Sequence, residues 1–390
     1  MNHNITELCQ ELVRIPSLSG EEADVMEAVR AAMSMLGYHR VWQDRLGNTI
    51  GVWKGTKPGR ERRLLVDIHA DTVAVTSPES WQYDPLGGEL VQGKIYGRGA
   101  CDIKGGLASA LMGIASLPPE TFSGEVWITA TVAEEMIEGA ATGYVLQEMA
   151  QQGGLPDYCI VVEPTQLRIG VAQKGRAGVR LETRGVAAHT SRAELGVNAI
   201  YKMLPAIQAV REMPKREHPL LGKEIFELVE IVSAPFPGNS IVPDGCRARV
   251  DCRLLVGETP ESLLSRFTQA LSPEVEVGLW QVEVHLFTGQ RLETPDFHQA
   301  WTISPESPLV KAGLRALESI GLPAETYVVP YCCNASAVTQ AGAPTIVFGP
   351  GDIAQAHSVD EWVEINELTQ AANGLKLLAQ ELMGDHQRQI

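Results

Sequence analysis

No stretch of this chain approaches eighteen uninterrupted apolar residues, and the opening MNHNITELCQELVRIPS has no charged leader followed by an apolar segment. Neither a spanning helix nor a secretory signal is therefore expected, and the expected location is the cytoplasm. Positive charge is also scarce: 32 Lys and Arg against 48 Asp and Glu leave a formal charge of -16. Phosphate backbones and anionic membranes are bound by clustered basic residues, so neither nucleic acid nor a membrane is an expected partner. The seven cysteines are odd in number and show no CxxC spacing, which excludes a disulfide framework and a zinc ribbon. Adjacent Cys332 and Cys333 read as small buried hydrophobes.

What is present is an ordinary globular composition, 44% hydrophobic over 390 residues. That length exceeds what one core usually supports, so two domains are expected. Residues 5–14 and 21–36 carry apolar positions at helical spacing and are broken at Pro16 to Gly20. RRLLVDI is too continuously apolar to face water on either side, which predicts a sheet covered on both faces. WQYDPLGGELVQGKIYGRG turns through repeated glycines as a hairpin or irregular loop, and Ile103 to Leu117 reads as a buried helix.

EVWITATVAEE and DYCIVVEPT read as strands ending in Glu134-Glu135 and Glu163. From Gly175 the order of elements becomes βαββαβ, a ferredoxin-like pattern whose strands alternate as a half-exposed sheet should; its last strand is read as VEVGLWQVEVHLF. After Thr294 the α/β texture returns, with a helix from Pro308 to Ile320, a strand APTIVFGPG and His357 in the loop behind it. Ser358 and Glu361 read as a capping box opening a short helix, and Asn366 as the start of the final one.

His69, the Glu134-Glu135 pair, Glu163 and His357 thus each follow the carboxyl end of a buried strand, and Asp102 lies in a loop just before a helix. In open α/β sheets that edge binds ligands, so groups distant in sequence would meet there. Two imidazoles with several carboxylates describe a zinc site. Asp102, Glu135 and Glu163 with one hydroxide balance two divalent cations, whereas without metal so many carboxylates would repel one another.

The ordered motifs HADTV, GRGACDIKGG, VAEE, VVEPT, GVAAHTSRAELGVNAI, GNSIVPD, VDCRLL and GPGDIAQAHSVDE resemble the co-catalytic zinc metallopeptidases that include aminoacylase, carboxypeptidase G, acetylornithine deacetylase and succinyl-diaminopimelate desuccinylase. The resemblance implies an α/β fold: a zinc-exopeptidase-like catalytic domain with a mixed, mostly parallel sheet (1–174 and 294–390), and an inserted ferredoxin-like α+β lid and dimerisation domain (175–293). It also implies two divalent ions, zinc first and cobalt or manganese as substitutes. Asp102 would bridge them, His69 and Glu163 completing one site, Glu135 and His357 the other. Asp71 would orient His69, and Glu134 would be the general base.

His189 would stabilise the oxyanion from the neighbouring subunit of a homodimer. Asn239 and Arg253 would hold substrate, the arginine gripping a carboxylate. Glu163, rather than the Asp of aminopeptidase and dipeptidase branches, implies cleavage of an N-acyl amino acid or of a C-terminal residue. The segment YCCNASAV departs from the glycine-rich versions of relatives and leaves the side-chain preference open. The expected activity is an N-acyl amino acid amidohydrolase, with a carboxypeptidase or dipeptidase as the alternative. A silent binding relative would lack the base or a ligand, and all are present.

Overall fold

The computed structural model describes residues 4–384, which form two units. The first comprises the chain up to Ala172, Glu283–Leu292 and the chain from Thr302; the second comprises Gln173–Val282 and Glu293–Trp301. The sequence reading placed single junctions after residues 174 and 293, but the chain returns to the first unit for Glu283–Leu292. That excursion is the tip of a two-stranded ribbon, Gln281–His285 with Arg291–Pro295. Close approach fixes it: a Cβ on Gly20 or Gly47 would lie 2.4 Å from the His285 carbonyl or the Phe287 ring. The ribbon also corrects the reading of one long final strand. Val275–Leu279 stops before Trp280, whose carbonyl accepts from Asp296 N–H and turns the pairing toward the returning chain.

In the first unit the described residues build a nine-stranded mixed sheet. Its order runs Arg40–Gln43, Thr49–Lys54, Gly124–Thr131, Arg62–His69, Tyr158–Val161, Thr345–Val347 and Ile169–Gln173, and Trp301–Thr302 and Thr326–Val329 both pair with Ile169–Gln173. The four middle members, from Gly124–Thr131 to Thr345–Val347, are parallel, and antiparallel strands flank them. Leu64 to His69 are buried without interruption, as a central strand covered on both faces requires. The covering helices show why their sequences suit them. Gly105–Ala115 is almost wholly Gly, Ala, Leu and Ile and is buried nearly all round. Its Gly113 lets the final helix approach so closely that a Cβ would meet the Ala372 carbonyl at 2.5 Å. The final helix, Ile365–Met383, buries Leu368, Ala371, Leu375, Leu378 and Leu382 along one stripe.

The capping box read at Ser358 and Glu361 does not form. Glu361 is fully buried, and the residues after it make a short strand, Trp362–Glu364, paired with Lys94–Tyr96 of the hairpin Glu89–Val91 and Lys94–Tyr96. The helix starts only at Ile365, because the Glu361 carboxylate is engaged elsewhere, as described below.

The second unit is an antiparallel sheet ordered Ile225–Ala234, Gly245–Leu254, Gly175–Arg184 and Val275–Leu279, with Phe297–His298 added beside Gly175–Arg184. Inward residues Ala177, Val179, Leu181, Ala248, Val250 and Cys252 pack with Met203 of helix Ala199–Glu212 and Phe267 of helix Pro260–Ala270. The alternate residues Arg176, Arg180, Arg247, Arg249 and Arg253 occupy the other face, which explains the alternating sequence. This is the ferredoxin-like arrangement expected from the order of elements.

Candidate metal centre

The four parallel strands end on one edge of the first unit's sheet, and each delivers a group there. His69 is the last residue of Arg62–His69, Glu134 and Glu135 follow Gly124–Thr131, and Glu163 follows Tyr158–Val161. His357 stands in the loop beyond Thr345–Val347, in the left-handed region at φ 59. That loop is tied to the Glu163 loop by Gln166 N–H donating to the Gly351 carbonyl at 2.8 Å and Gly349 N–H to Thr165 Oγ1 at 3.1 Å.

Asp102 occupies an irregular turn, Ala100–Lys104, immediately before helix Gly105–Ala115. It divides its two oxygens between the two histidines. Oδ1 lies 3.1 Å from His69 Nε2, and Oδ2 lies 3.5 Å from His357 Nε2. Glu163 Oε1 is 3.9 Å from His69 Nε2, and Glu135 Oε1 is 3.2 Å from His357 Nε2. Ligand atoms of His69, Asp102 and Glu135 all fall within 4.8 Å of one another. Glu134 is buried alongside.

The electrostatics of this group call for cations. Burial drives the Glu134 and Glu163 carboxyls well above the usual carboxylate range, and crowding by neighbouring carboxylates adds to it, against the pull of His69. Burial alone would lower the His69 imidazole, but Glu134, Asp102 and Asp71 outweigh it and push its pKa well up. Among the described residues the ion pairs of Asp102, Glu135 and Glu163 are with His69 and His357 alone. Imidazole and carboxylate donors at this density fit divalent zinc, cobalt or manganese.

Around the cluster, main-chain amides are gripped by buried acids. Asp71 Oδ1 accepts from Glu134 N–H and Oδ2 from Glu135 N–H, both at 3.0 Å, while Ser19 Oγ donates to Oδ2 at 2.6 Å. His69 Nδ1 is closer to the Asp71 main-chain oxygen, at 3.0 Å, than to its carboxylate, at 3.4 Å. Asp71 therefore touches three groups of the cluster, two of them main-chain amides.

Glu361 Oε1 accepts from Cys101 N–H at 2.9 Å and Asp102 N–H at 3.0 Å, and Arg98 Nη1 donates to Oε2 at 2.6 Å. Burial raises its carboxyl to about 7. Below the edge, Asp67 accepts from Thr129, Thr142 and Asn334 side chains at 2.6, 2.9 and 3.0 Å, and Asn334 Oδ1 accepts from Gly139 N–H. Sequence reasoning missed Glu361, Ser19 and Asp67. The last had a readable signal, an acid inside an otherwise apolar buried strand; Glu361 was masked by its resemblance to a helix start.

The remaining candidates lie in the second unit. His189 is exposed, and its Nδ1 accepts from Ser191 N–H at 3.1 Å. Asn239 is exposed, and Arg253 Nε donates to Asp251 Oδ1 at 3.1 Å along its own strand.

Comparison with known proteins follows the same lines. The model of the peptidase family M20/M25/M40 matches residues 65–381. The uncharacterized protein YgeY of Escherichia coli strain K12 is 31% identical over 371 residues, covering 92% of this chain and 89% of its own. A succinyl-diaminopimelate desuccinylase of Cereibacter sphaeroides strain KD131 is 28% identical, covering 93% and 94%. Among solved structures, an M20 family metallo-carboxypeptidase, Sso-CP2 of Sulfolobus solfataricus, superposes with a TM-score of 0.73 over 97% of this chain and 99% of its own, at 18% identity. The family model reaches from the His69 strand to the last turns of the final helix, and on that match this chain belongs to peptidase family M20/M25/M40.

Proposed function

We propose that the protein is a metal-dependent amidohydrolase that cleaves the amide bond of an N-acyl amino acid, of the deacetylase or desuccinylase type. The observation that carries this reading is the division of Asp102 between His69 and His357, with Glu135 and Glu163 on either side and no Lys or Arg paired to them among the described residues.

His69, Glu163 and Asp102 would hold one divalent ion, and Glu135, His357 and Asp102 a second, zinc being the ion that this donor set suits best. Bound there, the ions supply the Lewis acidity that activates water and polarises the scissile carbonyl near neutral pH. Glu134 takes the proton of the attacking water and returns it to the leaving nitrogen. Glu134 is buried beside the cluster, within the turn that also carries Glu135. Asp71 keeps Glu134 and Glu135 in place through their amides.

His189, exposed in the inserted unit, would donate to the oxyanion from a second copy of the chain. Asn239 and Arg253 would receive the substrate's polar groups, Arg253 exchanging Asp251 for a carboxylate.

Support for the acyl preference comes from the desuccinylase relative aligned over nearly the whole chain. The carboxypeptidase reading has support in the fold match to the Sulfolobus solfataricus metallo-carboxypeptidase. Metal-loaded protein assayed against N-acetyl, N-succinyl and N-carbamoyl amino acids and short peptides separates the two. Turnover of the N-acyl series is expected, and turnover confined to peptides would replace this reading with the second.

A further inference from the structure

Glu22 stands at the N-cap of helix Ala23–Leu36, yet its side chain makes no capping hydrogen bond to that helix. It reaches instead across 111 residues of sequence to accept from Ala133 N–H at 3.0 Å. Glu22 is fully buried, its second oxygen has no partner, and among the described residues no cation is paired with it. Burying an acid with one oxygen left unpartnered is unfavourable, so the contact it makes is the feature to explain.

That contact falls on a strained position. Ala133 lies in the left-handed region at φ 57, which a non-glycine residue holds only when its surroundings over-determine it. Four consecutive amides are held there. Val132 N–H donates to Asn48 Oδ1, Ala133 to Glu22, and Glu134 and Glu135 to the two oxygens of Asp71, each at 3.0 Å. The turn that presents Glu134 is thus pinned at every residue, and Ala133 is its only left-handed one.

We infer that Glu22 is a positioning residue for the reaction: by holding the Ala133 amide it keeps the Glu134 carboxylate aimed at the attacking water. This rests on Glu134 being the base, as proposed above.

The test uses the zinc-loaded full chain and the best N-acyl substrate of the panel, comparing Glu22→Ala, Glu22→Gln and Glu134→Ala. Glu22→Ala is expected to lower kcat roughly 10- to 100-fold, with KM and zinc per chain close to wild type. Glu22→Gln recovers most of the loss, since its amide oxygen still accepts from Ala133. Independently of turnover, hydrogen exchange of the peptide spanning residues 132–135 accelerates in Glu22→Ala and not in Glu22→Gln.

Wild-type kcat or unchanged exchange in Glu22→Ala overturns the inference, as does loss of zinc in step with kcat. If Glu22→Ala fails to fold, Glu22→Asp, one methylene too short to reach Ala133, should lose turnover in the same way; wild-type turnover there overturns it too. An active Glu134→Ala would sink the base assignment itself, whereas an inactive Glu134→Ala beside an undamaged Glu22→Ala sinks only the role of Glu22.

Discussion

At the scale of residues, the site is arranged in two layers with different chemistry. Side chains of His69, Asp102, Glu135, Glu163 and His357 face one another, whereas Asp71, Glu361 and Glu22 hold main-chain amides behind them. Carboxylates gripping amides cannot drift with a rotamer change of the residue they hold, so aim is set by the backbone. The inner layer was readable because four of its members follow buried strands and Asp102 sits in a glycine-rich turn just before a helix. The outer one was not, because an acceptor contacting an amide far along the chain leaves no pattern in spacing. Glu134→Ala is expected to lower kcat by about 10²- to 10⁴-fold while metal analysis shows unchanged occupancy. Loss of metal with activity would mean that Glu134 binds rather than transfers protons.

At the scale of elements, periodicity decides most of what forms. Continuous burial from Leu64 to His69 marks strand Arg62–His69 as central and parallel, and alternation marks Gly175–Arg184 and Gly245–Leu254 as half-covered. The inserted unit carries its own buried ion network. Glu224, fully buried, accepts from Arg266 at 2.8 and 2.9 Å and from Arg216 at 2.6 Å, and both arginines also reach Glu258. Burial alone would raise the Glu224 pKa, but the hydrogen bonds from Arg266 and Arg216 overcome it and hold the carboxyl down at about 2.

The folded pKa lies below the unfolded value, so the contribution to stability is present above the ordinary glutamate range and lost as pH falls from about 4.5 toward 2. Arg266→Ala should therefore cost roughly 1–3 kcal/mol near neutral pH. The gap in thermal midpoint between variant and wild type should close on acidification toward pH 2. A gap independent of pH would remove the ion network as its source.

At the scale of the whole molecule, an acidic chain concentrates Asp102, Glu134, Glu135 and Glu163 at one sheet edge around the buried His69 and the exposed His357. Resident divalent ions would relieve that repulsion and stabilise the folded state by mass action. Chelation should lower the thermal midpoint by roughly 5 °C or more, with recovery on adding zinc; an unchanged midpoint would argue against resident metal. If His189 acts across a dimer, mixing inactive Glu134→Ala and His189→Ala proteins should restore part of the activity, because mixed pairs contain one site with both groups intact. No recovery after verified subunit exchange would confine His189 to its own chain or to another role. No helix among the described residues is long and apolar enough to cross a membrane.

The sequence by itself determined the class of sheet, the ferredoxin-like order of the insert and the chemical character of the centre. Those depend on local periodicity, on turn residues and on which side chains follow which strands. Only the tertiary structure decided that Glu361 is a buried anchor of the Asp102 loop rather than a helix cap, that residues 283–292 return to the first unit, and that Glu22 ignores its own helix for Ala133. A local motif fixes what a side chain could bond. Which partner it takes depends on what burial brings within reach, and a buried acid takes the amides that folding leaves unpaired beside it.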